Sequence, residues 1–138
     1  NAPTGKQVAK VAKLLQRQPE KIEVINTIGK IARRGIKALM SGDYDTVGRT
    51  MSENQLMLKS IGVSSPELEE LIKAAMPSSL GAKLTGAGGG GCMVALTRNP
   101  ILTSDAIELA GGRTLISKLG CRGLTIETSD IDTIWTKS

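Results

Sequence analysis

The feature that most narrows the fold is a change of hydrophobic period at Pro77. Before it, apolar side chains recur three and four positions apart between proline, serine, aspartate and glycine breaks. After it, the apolar runs are short and bounded by glycine. Residues 5–17 are predicted as a first helix, with Val8, Val11, Ala12 and Leu15 on one side and Lys6, Lys10, Lys13 and Arg17 on the other. Pro19 opens a second helix running to about Met40 on a stripe of Ile25, Ile28, Ala32, Ile36 and Leu39. Ser41-Gly42 stops it, because glycine tolerates the left-handed backbone that ends helices. Asp43 caps a third helix over roughly 43–60, expected to bury Val47, Met51, Leu58 and Tyr44. Ser65-Pro66 supplies an N-cap and a first-turn proline for a fourth, whose inward residues are Leu68, Leu71, Ile72 and Ala75.

Beyond Pro77, "GAKLT" (Gly81–Thr85) and "CMVALT" (Cys92–Thr97) read as strands. A further helix is predicted from Thr103 or Ser104, weakened at Gly111-Gly112 and resuming through Leu115, Ile116 and Leu119 to Gly120. "GLTIET" (Gly123–Thr128) alternates as a half-buried strand, and "TIWT" (Thr133–Thr136) reads as a last edge strand. Helices first and strands later, with no regular βαβ alternation, imply an α+β fold. The length of 138 residues suits one domain, and its core must be aliphatic, since there is no Phe, one Tyr and one Trp.

Several functions are excluded early. No apolar run reaches the ~18 residues of a membrane helix, and nothing resembles a secretion signal. Two cysteines, Cys92 and Cys121, in no CxxC spacing and with no histidine, make neither a zinc site nor a Cys–His nucleophile. They read as core thiols of a reduced, cytoplasmic protein. The start at Asn1-Ala2 reads as a tag remnant before an excised piece, so residues 1–5 are set aside as remnant or linker and residues 6–138 form the domain. Charge is uneven: residues 1–42 carry nine Lys/Arg and two acidic residues, whereas residues 43–138 carry nine basic and eleven acidic. A basic first third admits a nucleic-acid-binding module as a rival function, but little aromatic surface is available for base stacking.

The segment "KLTGAGGGGCMVAL" places five glycines among the six residues Gly86–Gly91. Gly86-x-Gly88-x-x-Gly91 fits the dinucleotide pattern, but that pattern requires a helix at its last glycine and a strand follows here. A P-loop fails as well, for want of a closing Gly-Lys-Ser/Thr. Two readings stay open on spacing alone. One is a plain hairpin connection. The other is a bare backbone surface whose N–H groups face an anion, which would explain a glycine content far above what a turn requires.

"GAKLTGAGGGGC" (Gly81–Cys92) resembles the third conserved motif of the GHMP kinases. "MSENQLMLKSIGVSSPELEELI" (Met51–Ile72) is similar to the helix–turn–helix of the mevalonate kinases among them, of archaeal and bacterial type. The resemblance covers about Ile22–Thr128 and implies the family's C-terminal domain, with N-terminal helices packed on a small antiparallel sheet, ferredoxin-like. It implies an ATP-dependent kinase acting on the hydroxyl of mevalonate, or on phosphomevalonate or a sugar in other members. ATP and Mg²⁺ would be held mainly by an N-terminal kinase domain carrying the phosphate loop and the catalytic Asp and Lys. The motif P-x-x-x-G-L-x-S-S-A does not occur here, so this piece alone is expected to be inactive and to contribute no catalytic residue and no metal ligand.

By the same resemblance, Gly86, Ala87, Gly88, Gly89 and Gly90 line the phosphate and substrate site, where a side chain larger than that of Ala87 would obstruct. Asn54 and Gln55 either reach into the cleft from their helix, or belong to a plain helix polar face or an interhelical hydrogen bond. Lys83 alternates with the core residue Leu84 and is expected to be solvated. The partners implied are the N-terminal domain, mevalonate, ATP and a second copy in a homodimer; no membrane is implied, and nucleic acid is disfavoured.

Overall fold

The computed structural model describes the backbone of residues 4–85, 92–119 and 124–130. Gly86–Gly91, Cys121 and the expected edge strand at 133–136 lie outside the described residues. The chain opens with helix α1 (Thr4–Arg17), then a single helical turn at Pro19–Lys21 leads into α2 (Ile22–Met40). Gly42, at φ 79°, makes the tight turn into α3 (Tyr44–Ser60). Asp43 caps α3 as expected, its carboxylate accepting from Thr46 N at 3.2 Å and from the Thr46 hydroxyl at 2.6 Å. These bonds favour the ionised form and hold the Asp43 carboxyl below its usual value. Gly62, at φ 78°, turns the chain again. Ser65 then caps α4 (Pro66–Ala75) through a 3.2 Å bond from Leu68 N.

Four antiparallel strands follow in the order β1-β2-β4-β3: β1 (Gly81–Leu84), β2 (Cys92–Thr97), β3 (Thr114–Leu119) and β4 (Leu124–Asp130). Helix α5 (Pro100–Leu109) links β2 to β3. The fold is α+β, helices packed on a small antiparallel sheet, as the period change at Pro77 implied. Ala82, Leu84, Met93 and Ala95 project from β1 and β2 into the main core, where they meet Leu68, Leu71, Ile72 and Ala75 of α4 and Ile107 of α5. Val11 and Leu14 of α1 and Val24, Ile25 and Ile28 of α2 pack against its rim. Buried hydroxyls lock the turn before β1 to α5: Thr97 Oγ1 donates to Ser78 O at 2.9 Å, and Ser78 and Thr103 share a 2.7 Å bond. No helix among the described residues is long and apolar enough to cross a membrane.

Three expectations need correction. The helix after β2 starts at Pro100 and does not resume beyond Gly111-Gly112; residues 114–119 form a strand paired with β4. Gly111, at φ 102°, reverses the chain, and Thr-Leu-Ile-Ser-Lys-Leu then pairs as an edge strand, so sheet pairing overrode a weak helical period. On α2 the buried residues are Ile31 and Ala38, while Ile36 and Leu39 stay substantially exposed. On α3 the buried residues are Gly48, Thr50, Asn54 and Gln55, with Val47, Met51, Leu58 and Tyr44 only partly covered. The polar side of α3 turns inward because it lies along β1, an edge strand whose outward N–H groups require partners. Gly48 and Gly81 meet backbone to backbone there: a methyl group added at Gly81 would overlap the Gly48 carbonyl.

Candidate functional site

The glycine-rich connection is anchored at its base by described residues. Thr85 N–H donates to the Cys92 carbonyl at 3.0 Å, so the two residues flanking Gly86–Gly91 are paired across the hairpin. One residue earlier, the Leu84 N–H points away from β2 and donates to Gln55 Oε1 at 2.8 Å. The Gln55 amide nitrogen donates to Glu69 Oε2 at 2.7 Å and to Ser64 Oγ at 3.1 Å. Ser64 Oγ in turn donates to Glu69 Oε2 at 2.5 Å, and Lys59 pairs with the other carboxylate oxygen at 3.6 Å. The end of β1 is thus fixed to α3 and to the start of α4 by one buried side chain.

Asn54, the adjacent residue, faces a different way. Its side chain lines a groove of about 240 Å³ between α2, α3 and β1, together with Ala32, Ile36, Val47, Met51 and Lys83. Only 6% of Asn54 is exposed, and its Oδ1 has no hydrogen-bond partner. Lys83 shares the groove. Lys83 leaves the core face, as its alternation with Leu84 implies, but the space it enters is flanked by α2 and α3 and is not open solvent. The side chain is half-buried, and desolvation pulls its pKa below the ordinary lysine value. The expectation of a solvated Lys83 is therefore corrected.

Gly86, Ala87, Gly88, Gly89 and Gly90 lie outside the described residues; what the structure gives is the geometry of their anchors. A strand, not a helix, follows the segment, and it runs antiparallel to β1, which removes the dinucleotide geometry. Among the described residues no group of three or more His, Cys, Asp or Glu side chains is placed to hold a metal ion. The Gln55–Ser64–Glu69 cluster was missed as a unit. Its signal was present in the spacing of Gly48 and Gln55 (i, i+7) and of Thr50 and Asn54 (i, i+4), which puts small and polar residues on the inward side of α3.

These anchors, on a hairpin packed against α3 and α4, define a recognisable class: residues 36–108 match the family described as GHMP kinases C terminal, and the chain belongs to that family. Among individual proteins, it is 37% identical over 135 residues to the mevalonate kinase of Pyrococcus furiosus, covering 92% of this chain and 40% of that protein. It is 39% identical over 132 residues to the mevalonate kinase of Thermococcus onnurineus, covering 90% and 40% respectively. A crystal structure of L. major mevalonate kinase in complex with R-mevalonate superposes with a TM-score of 0.72 at 31% identity, covering 94% of this chain and 39% of that one. The chain thus spans about 40% of the length of the curated relatives it matches.

Proposed function

We propose that this chain is the C-terminal part of an ATP-dependent kinase that phosphorylates the hydroxyl of mevalonate. The overall reaction moves the γ-phosphoryl group of ATP onto the alcohol oxygen, with loss of the hydroxyl proton and release of ADP. The observation that carries the reading is the family match across residues 36–108, which includes both strands and the flanking helices that anchor the glycine-rich connection. Residues Gly86, Ala87, Gly88, Gly89 and Gly90 are assigned a backbone surface against the phosphate and substrate, a role glycine suits because no side chain keeps the ligand away.

Glycine dipoles alone do not perform phosphoryl transfer, which also requires cations and a positioned nucleophile. The groups that hold the metal and act on the hydroxyl are assigned to an N-terminal kinase domain, corresponding to about three-fifths of the relatives' length. The reading brings with it a cytoplasmic enzyme whose partners are that domain, ATP, mevalonate and a second copy of the chain.

The test is a coupled ADP-release assay on the full-length kinase with mevalonate, phosphomevalonate and a panel of sugars. Mevalonate is expected to be the preferred acceptor, and the 138-residue piece alone is expected to show no turnover. Preference for another alcohol would overturn the substrate assignment, and turnover by the piece alone would overturn the division of labour.

A further inference from the structure

The basic stripe of α1 has no part in the kinase reading, and the fold gathers it on one cleft. Lys10, Lys13 and Arg17 meet Lys59, from the last turn of α3, around a space of about 400 Å³. The other lining residues are neutral: Leu14 and Ile61 bring hydrocarbon, Gln18 and Ser60 polar groups, and Gly62 its backbone. Lys10 crosses from α1 to the turn after α3, since a methyl group added at Gly62 would lie 3.6 Å from Lys10 Cε and 3.8 Å from its Nζ. Among the described residues, Lys10, Lys13 and Arg17 have no acidic partner and donate no side-chain hydrogen bond.

Local needs of the fold account for only part of this charge. Helices α1 and α3 both end at the cleft, and each C-terminus carries about half a negative charge that favours a neighbouring cation. Arg17 and Lys59 occupy those last turns. Glu69 lies 3.6 Å from Lys59 and offsets it further. What remains is about two positive charges, centred on Lys10 and Lys13, in a space that no carboxylate lines. Like charges brought together repel, and hydrocarbon beside them weakens the screening that water would give. An anion is the complement.

The spread of donors selects among anions. Lys10 and Arg17 lie seven residues apart, about 10 Å along the helix axis, and Lys59 faces them from another element. One phosphate is too compact to accept from donors so spaced. Two linked phosphates present a longer row of oxygens, and lysine and arginine both suit phosphate as a partner. We propose that this cleft is a binding site for a diphosphate group, with Lys10, Lys13 and Arg17 donating to its oxygens and Lys59 shared between it and Glu69. The site lies outside the hairpin that carries the glycine-rich segment and does not rest on the kinase reading.

The experiment follows the Ser60 and Gly62 amides by NMR while the full-length protein, without Mg²⁺, is titrated with inorganic diphosphate. Orthophosphate and citrate serve as comparators, and methyl diphosphate separates a free ligand from the head of an organic one. Both amides should shift along one saturating curve, and orthophosphate and citrate should bind about ten-fold more weakly or worse. Lys10→Gln combined with Arg17→Gln should weaken diphosphate binding by about ten-fold or more, whereas Lys10→Arg, which keeps the charge, should change it by less than about three-fold. Either diphosphate supports the site, and tighter binding of the ester assigns the hydrocarbon of Leu14 and Ile61 to an organic group. Unmoved amides, an unaltered affinity in the double variant, or equal affinity for diphosphate, orthophosphate and citrate would overturn the proposal. Diphosphate taken up only at a nucleotide site elsewhere leaves both amides unmoved, so that result overturns it too, whatever the kinase assay shows.

Discussion

A glutamine amide carries two donor hydrogens and an acceptor oxygen, and Gln55 uses both kinds at once. Its oxygen serves the Leu84 N–H at 2.8 Å, and its nitrogen serves Glu69 at 2.7 Å and Ser64 at 3.1 Å. Replacing it with leucine keeps the volume but strands a buried N–H and removes a donor from a half-buried carboxylate. Gln55→Leu should destabilise the domain by about 2–4 kcal/mol, read as a lowered urea midpoint at unchanged m-value. A loss below about 0.5 kcal/mol would mean that water replaces the amide at no cost. Lys83 gives a second prediction, in pH. Burial holds its folded pKa below the ordinary 10.5, so the unfolded chain retains this proton to higher pH than the folded one. Across the window from the folded pKa up to 10.5 the unfolded state binds more protons, and stability rises with pH; below the window the penalty is constant. Lys83→Met has no charge to desolvate and should flatten that rise in alkaline denaturation curves. An identical slope in wild type and variant would show the ammonium to be fully hydrated.

Among the elements, α3 and β1 determine where the glycine-rich connection starts. They approach closely because glycine faces glycine: a methyl group on Gly81 would overlap the Gly48 carbonyl, and one on Gly48 would overlap the Leu80 carbonyl. Backbone cannot swing aside as a flexible side chain can, so Gly81→Ala must push α3 off the strand. The expected cost is about 3 kcal/mol or more, together with weakening of the Gln55–Leu84 bond, which amide hydrogen exchange at Leu84 would report. Unchanged exchange at Leu84 with only a small stability loss would mean that the helix shifts without releasing the strand. The same two elements mark the limit of what was legible from sequence. The Asp43 and Ser65 caps, the Gly42 turn and the hairpin strands followed from local chemistry, because each depends on neighbours within a few residues. The inward polar side of α3 did not, because a periodicity rule sends apolar residues inside and knows nothing of a strand edge awaiting partners. Lys83 was misjudged for the same reason: alternation fixes which face a side chain leaves from, but not what lies over that face. The strand at Thr114–Leu119 depends on β4, which pairs with it from beyond a connection whose course the local pattern does not encode.

Over the whole molecule, the uneven charge of the sequence becomes a distribution in space, and that distribution decides the nucleic-acid question. Lys10, Lys13 and Arg17 of α1 converge with Lys59 on a cleft of about 400 Å³ above the turn between α3 and α4. On α2, Arg34 is paired with Glu53 at 3.0 Å, and at another point on the surface Arg98 is paired with Asp45 at 3.1 Å. The four cations at the cleft form one described unit that a phosphate backbone could engage. Each neutralised phosphate contributes about −0.9 to the slope of log K against log salt on duplex DNA, so four give a slope no steeper than about −4. Specific duplex readers make roughly six to ten such contacts. Binding to duplex oligonucleotides should accordingly be weak at low salt, show a slope shallower than about −4 and vanish near physiological ionic strength. Lys10→Gln with Arg17→Gln should remove what binding there is while leaving kinase turnover of the full-length protein unchanged. A slope of about −6 or steeper would require a continuous basic track and would reinstate the nucleic-acid-binding reading.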